Sequence, residues 1–150
     1  HTDCGGGGAV CGLVSRGLWH KGVTMIDVEK QVAYWRASAV EDWQVAEELV
    51  SLGRTRHGLF FAHLALEKLL KAHVCRALSD LPPRIHALLR LAERANLTLS
   101  EAQRLFLARF DRYQLEGRYP ELLPAPPTID LARKELKQAQ EVFEWLNRLL

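Results

Sequence analysis

Between residues 28 and 50 the apolar positions recur in steps of three and four, with Val28, Val32, Trp35, Ala39, Trp43, Ala46 and Val50 on one stripe. That period predicts an amphipathic helix, with Asp27 as its N-cap and Gly53 as its left-handed terminator. A second helix is expected from about Thr55 to Leu78. It is apolar over much of its circumference, which predicts a central helix buried against several neighbours. Asp80 and Pro82-Pro83 then interrupt the chain, and a short third helix is expected from roughly Arg84 to Ala95. Ser100 and Gln103 have capping-box spacing, opening a fourth helix that ends near Gly117 and turns Leu105, Phe106, Phe110 and Tyr113 to the core. Residues 118–127 hold four prolines and cannot be helical. Thr128 caps a last helix whose inner face carries Ile129, Ala132, Leu136, Ala139, Phe143, Leu146 and Leu150. No alternating Val/Ile/Thr-rich run occurs, so the fold class is all-α: an up-and-down antiparallel bundle of about five helices. The Trp and Phe side chains fall mostly on these stripes and are read as core.

Composition adds bounds. The chain has 150 residues, 48% apolar and 25% charged, the values of one ordinary globular domain. Twenty Lys and Arg against eighteen Asp and Glu leave +2, too little for a basic nucleic-acid sleeve, although local patches remain open. Fourteen of the cations are Arg, whose fork suits phosphate. No apolar run approaches the ~20 residues of a membrane span. Three cysteines, Cys4, Cys11 and Cys75, are odd in number, so a reducing cytoplasm is the expected compartment. The single Met is residue 25. Residues 1–24 are Gly-rich without helical or strand period, so they are expected to be a flexible or non-native leader to a domain over 25–150. His1, Cys4, Cys11 and His20 match no compact zinc finger, and Gly5–Gly8 lead into no phosphate loop.

Three segments carry a family resemblance: GLFFAHLALEKLLKAHV (58–74), PPRIHALLRLAERANL (82–97) and FDRYQLEGRYPELLP (110–124). In order and content they resemble the HEPN domain family of small helical bundles, with its A-x-x-A-x-E-K-x-L-K-A helix, a His at the next helix start and an R-Y-P-D/E loop. The resemblance spans about residues 28–150. It implies a homodimer and a partner, a minimal nucleotidyltransferase, in a prokaryotic two-component system of toxin–antitoxin type. Some members of the family are metal-independent endoribonucleases that use an Arg and a His four to six residues apart. Others lack that pair and bind nucleotide or a partner.

Arg118 stands where the functional arginine of the family is expected, but residues 119–150 contain no His. Arg56 and His63 have the spacing R-x6-H, with His57 following Arg56, at the start of the second helix. The bland reading of that pair is a solvated helix start and a semi-buried imidazole. A metal-independent nuclease needs a base, a cation for the phosphorane and an acid, which His and Arg supply. The catalytic candidates are Arg118, His63, His86 and Arg56, with His73 and Arg112 as further members of the set. The nucleotide- or RNA-binding candidates are Lys68, Lys71, Arg112, Tyr113, Arg118 and Tyr119, combining phosphate forks with rings for stacking. The two tyrosines are also candidate acceptors of a nucleotide modification. Asp111 and Arg118 are expected to pair across a helix end. No metal or other cofactor is expected: His63 and His73 are ten apart, not the i, i+4 of a zinc helix. Three functions follow: a nucleotide- and partner-binding subunit, an endoribonuclease, or a purely structural dimerisation module.

Overall fold

Helix α1 runs Val28–Ser51, started by the Asp27 carboxylate, which accepts the Lys30 amide at 3.1 Å. Its end is a Schellman turn: Arg54 N–H donates to the Leu49 carbonyl and Gly53 N–H to that of Val50, with Gly53 at φ +81°. The computed structural model describes residues 26–119, 121 and 125–150. The expected leader, with Met25, Cys4 and Cys11, lies outside the described residues.

The turn feeds directly into α2, Thr55–Leu78. Gly58 permits a close approach of the two helices: a Cβ there would stand 2.5 Å from Val50 Cγ2 and 3.2 Å from the Ala46 carbonyl. As its all-round apolar character predicts, α2 is central. Leu59, Leu66, Leu69, Leu70 and Val74 are fully buried, each removal from water being worth about 1.5–3 kcal/mol. Ser79, at φ 53°, ends it.

Helix α3 spans Leu88–Arg94, four residues later than the expected start. Residues 81–87 stay outside any helix, with the Ala87 backbone extended, because His86 and the Leu88 amide are held by other elements. The expected fourth helix is divided at Asp111 into α4, Glu101–Phe110, and α5, Arg112–Arg118. Ser100 and Gln103 form the expected capping box. Leu105, expected in the core, is instead 61% exposed. The stripe Phe106–Phe110–Tyr113 sets the buried face, and Leu105 lies beside it at the open seam with the last helix. Helix α6 runs Ile129–Leu149, capped by Thr128 Oγ1, which accepts the Leu131 amide. Ala132, Ala139, Phe143 and Leu146 are buried as expected, and so is Glu135, which the stripe omits.

The long helices alternate in direction. Glu29 and Arg76 meet at one end of the α1–α2 hairpin while Val50 and Gly58 meet at the other. Arg109 of α4 reaches Glu135 and Gln138 of α6 in antiparallel register. Thr55 bonds to Pro127 near one end, and His73 to Leu146 near the other, so α6 runs alongside α2 in the same direction. Trp43 stacks on Phe143 at 5.0 Å, closing α1 against α6. Among the described residues there is no strand, and no helix is long and apolar enough to cross a membrane.

Candidate functional site

The three resemblance-bearing segments converge on one polar cluster inside this apolar frame. His63, Glu67 and Lys71 are spaced i, i+4, i+8 along α2 and so share one face. That face meets the extended strip before α3 and the α4–α5 junction. Glu67, 4% exposed, is the hub. Its Oε2 receives Lys71 Nζ at 3.0 Å and His86 Nδ1 at 2.8 Å, and its Oε1 lies 3.8 Å from His63 Nδ1. His63, 1% exposed, directs Nε2 at Asp111 Oδ1 over 2.9 Å and lies parallel to the Phe110 ring. The same Asp111 oxygen accepts the Leu88 amide at 3.1 Å. A carboxylate accepts only, so His63 Nε2 and His86 Nδ1 carry the hydrogens in these bonds.

These bonds account for the two departures of the fold from the helical pattern. Leu88 N–H, a donor at the first turn of α3, finds Asp111 instead of a preceding cap. His86 is drawn to Glu67 and so stays outside the helix. Asp111, in turn, faces inward at the point where α4 gives way to α5. The expected Asp111–Arg118 pair is therefore not formed: among the described residues no ion pair joins them, and Asp111 is held by His63 and Leu88.

The other candidates divide between interior and surface. Lys71 is buried on Glu67 with its Nζ 5.5 Å from the Trp35 ring, and Lys68 reaches Asp42 at 2.7 Å and Ser38 at 2.8 Å. Of these two binding candidates, Lys68 thus ties α2 to α1 through Asp42 and Ser38, and Lys71 through the Trp35 ring. Tyr113 is buried, and its hydroxyl donates to Glu135 Oε2 at 2.9 Å. Arg112 lies over the Tyr113 ring at 5.6 Å. Arg118 and Tyr119 are exposed. Arg56 is half-buried at the start of α2, and no bond joins it to His63 among the described residues.

His73 is buried and donates Nε2–H to the Leu146 carbonyl at 2.8 Å. Burial, with a smaller contribution from the Arg76 charge, holds its imidazole below the ordinary value, against the upward pull of the Leu146 bond. The Cys75 thiol is pushed up to about 11, by burial and then by Asp80, and is unreactive as a nucleophile. Among the described residues no cluster of three or more His, Cys, Asp or Glu is placed to hold a metal ion.

Of the candidate imidazoles His63, His73 and His86, only His86 combines an orienting partner with access to water among the described residues. Its side chain is 52% exposed, and Nε2 has no hydrogen-bond partner among the described residues. With Nδ1–H held by Glu67, the neutral ring keeps its lone pair on Nε2, the arrangement of a carboxylate-oriented base. Sequence reasoning placed His86 and Asp111 among the candidates without their partners and missed Glu67 as hub, Asp42 and Glu135. The signal for the hub was legible: an i, i+4, i+8 polar file, His63, Glu67 and Lys71, on a helix apolar over much of its circumference.

A model of the HEPN domain matches residues 32–149. The crystal structure of TT1696 from Thermus thermophilus is similar, with a TM-score of 0.68 and 25% identity, over 80% of this chain and 98% of that one. The search of curated proteins gave no match.

Proposed function

The chain belongs to the HEPN domain family, and on that premise we propose that it is a nucleotide- or RNA-binding and partner-binding subunit, not a nuclease. Its partner is a minimal nucleotidyltransferase in a toxin–antitoxin-like pair, and the bundle works as a homodimer in the cytoplasm. The observation that carries this reading is the commitment of His63. The imidazole of the R-x6-H pair is 1% exposed and bound to Asp111, so it has no path to a ribose hydroxyl. Binding falls instead to the end of α5, where exposed Arg118 supplies a phosphate fork and the Tyr119 ring, 45% exposed, a stacking surface.

The test is a titration of labelled single-stranded RNA and of ATP, read by filter retention, with denaturing gels run in parallel. The reading expects retention with intact RNA, weakened about tenfold by Tyr119→Ala, as the loss of one base stack implies. Arg118→Gln lowers the salt slope by about one. No retention of either ligand overturns the binding role. Co-elution with the minimal nucleotidyltransferase tests the partner.

His86 favours a second reading, a metal-independent endoribonuclease. Nε2 would accept the 2′-hydroxyl proton as that oxygen bonds to phosphorus, with Glu67 holding the ring and an arginine neutralising the phosphorane; the P–O5′ bond would then break, and the imidazolium would return the proton to the leaving 5′-oxygen, giving a 2′,3′-cyclic phosphate and a 5′-hydroxyl. Cleavage that persists in EDTA and disappears in His86→Gln supports this alternative over the first.

A further inference from the structure

A groove of about 430 Å³ runs between α4 and α6, lined among others by Leu105, Phe106, Arg109, Gln138, Glu141 and Val142. We infer that this groove is the face by which two copies of the chain associate about a two-fold axis. The inference rests on the homodimer reading above and deepens it by assigning the face.

The apolar content gives the contact its driving force. Phe106 and Val142 line the recess, and Leu105 stands beside it, 61% exposed. Leu131, 45% exposed, lies seven residues before Gln138 and so on the same side of α6. An isologous contact uses one patch twice, so that patch must supply both a projection and a recess. Leu105 is the projection and the groove beside it the recess.

The charges select the occupant. On α4, Glu101, Leu105 and Arg109 are spaced i, i+4, i+8, so an anion, an apolar side chain and a cation follow one another along one face. On α6, Lys134, Gln138 and Glu141 are spaced i, i+4, i+7, with the cation first and the anion last. The two helices are antiparallel, with Arg109 on Glu135 and Gln138. The cationic ends of both files therefore coincide at one end of the groove. Their anionic ends coincide at the other, roughly 10 Å away along the axis.

Arg109 is already held by Glu135, but Glu101, Lys134 and Glu141 form no ion pair among the described residues. A two-fold axis through the middle of the groove and perpendicular to it sets Lys134 of each copy against Glu141 of the other. The same rotation brings the two Leu105 side chains to the centre. A groove of one sign would repel its own copy, whereas this one is complementary to its own image.

The experiment is sedimentation velocity of the full chain over a range of concentrations, with far-UV circular dichroism to confirm that each variant is helical. The wild type is expected to sediment as a dimer and Leu105→Asp as a monomer. Tyr34→Glu, at a 63% exposed position on α1, is expected to leave association unchanged. Lys134→Glu alone and Glu141→Lys alone each place like charges across the axis and are expected to weaken association about tenfold or more. Mixing these two variants restores both opposite-charge contacts, so a heterodimer of near wild-type affinity is expected. A wild-type dimer that Leu105→Asp leaves intact, or a mixture that associates no better than its components, overturns the face and leaves the homodimer reading standing. A wild-type chain that stays monomeric throughout overturns both.

Discussion

Glu67 and Glu135 are both buried carboxylates inside apolar surroundings, 4% and 5% exposed, and they are satisfied in different ways. Glu135 receives the Arg109 guanidinium at 2.6 Å and the Tyr113 hydroxyl at 2.9 Å. One of those partners is a guanidinium fork and the other a phenol hydroxyl, and both are side chains of the α4–α5 region. Glu67 receives a buried ammonium and an imidazole that opens to water. The first arrangement ties α4 and α5 to α6. The second places a titratable ring at the surface and fixes its orientation from within. Burial alone therefore does not mark a functional carboxylate; the kind of partner it orients does.

Glu67→Ala is the strongest way to break this contrast. It strands Lys71 in the interior and releases His86, and breaking a buried pair costs about 3–5 kcal/mol. Glu135→Ala is expected to cost less, because Arg109 is partly exposed and can turn to water. Urea unfolding of the two variants gives the order directly, and a larger loss for Glu135→Ala would reverse the ranking of the two sites.

How far the sequence foretold this follows from the two glutamates. Helix identity came from period, and Asp27, Gly53, Ser100 and Thr128 marked helix ends by local chemistry that acts within one turn. The resemblance segments named His63, His86, Lys71 and Asp111 without joining them. Lys71 meets Glu67 within one turn, but His86 lies 19 positions from Glu67 and His63 lies 48 from Asp111. No local rule predicts a bond across that separation. Asp111 illustrates the failure: its place at a helix end suggested a pair with Arg118, whereas packing against α2 gave it His63. Glu135 was invisible because a charged residue beside a stripe is normally solvated.

Gly58→Ala probes the frame that brings the network together. The added Cβ meets Val50 side chain and backbone together with the Ala46 carbonyl, so α1 must shift. A loss of about 1–3 kcal/mol is expected, at the usual cost of overpacking. Undiminished stability would show that the hairpin is looser than its spacing indicates.

A pH comparison separates a buried structural imidazole from the exposed His86. The native His73 value lies below its ordinary 6.5, so its neutral form stabilises the fold. That stability is fully present above pH 6.5 and is lost as pH falls through the native value, because the unfolded chain binds the proton first. The His73→Gln variant keeps a donor for the Leu146 carbonyl and removes the titration. Its melting temperature is expected to fall less steeply than that of the wild type below pH 6.5, by up to one proton's worth, about 1.4 kcal/mol per pH unit. Parallel curves would remove His73 from the account. The smallest effect belongs to the exposed Arg76–Glu29 pair, where Glu29→Gln is expected to change stability by less than about 1 kcal/mol.

The most direct test incubates the purified protein, at high concentration, with single-stranded RNA in the presence and absence of EDTA and reads both native and denaturing gels. The account predicts a retarded complex on the native gel and full-length RNA on the denaturing gel. RNA cut in EDTA by the wild type and left whole by His86→Gln would contradict it and make the Glu67-held imidazole a catalyst.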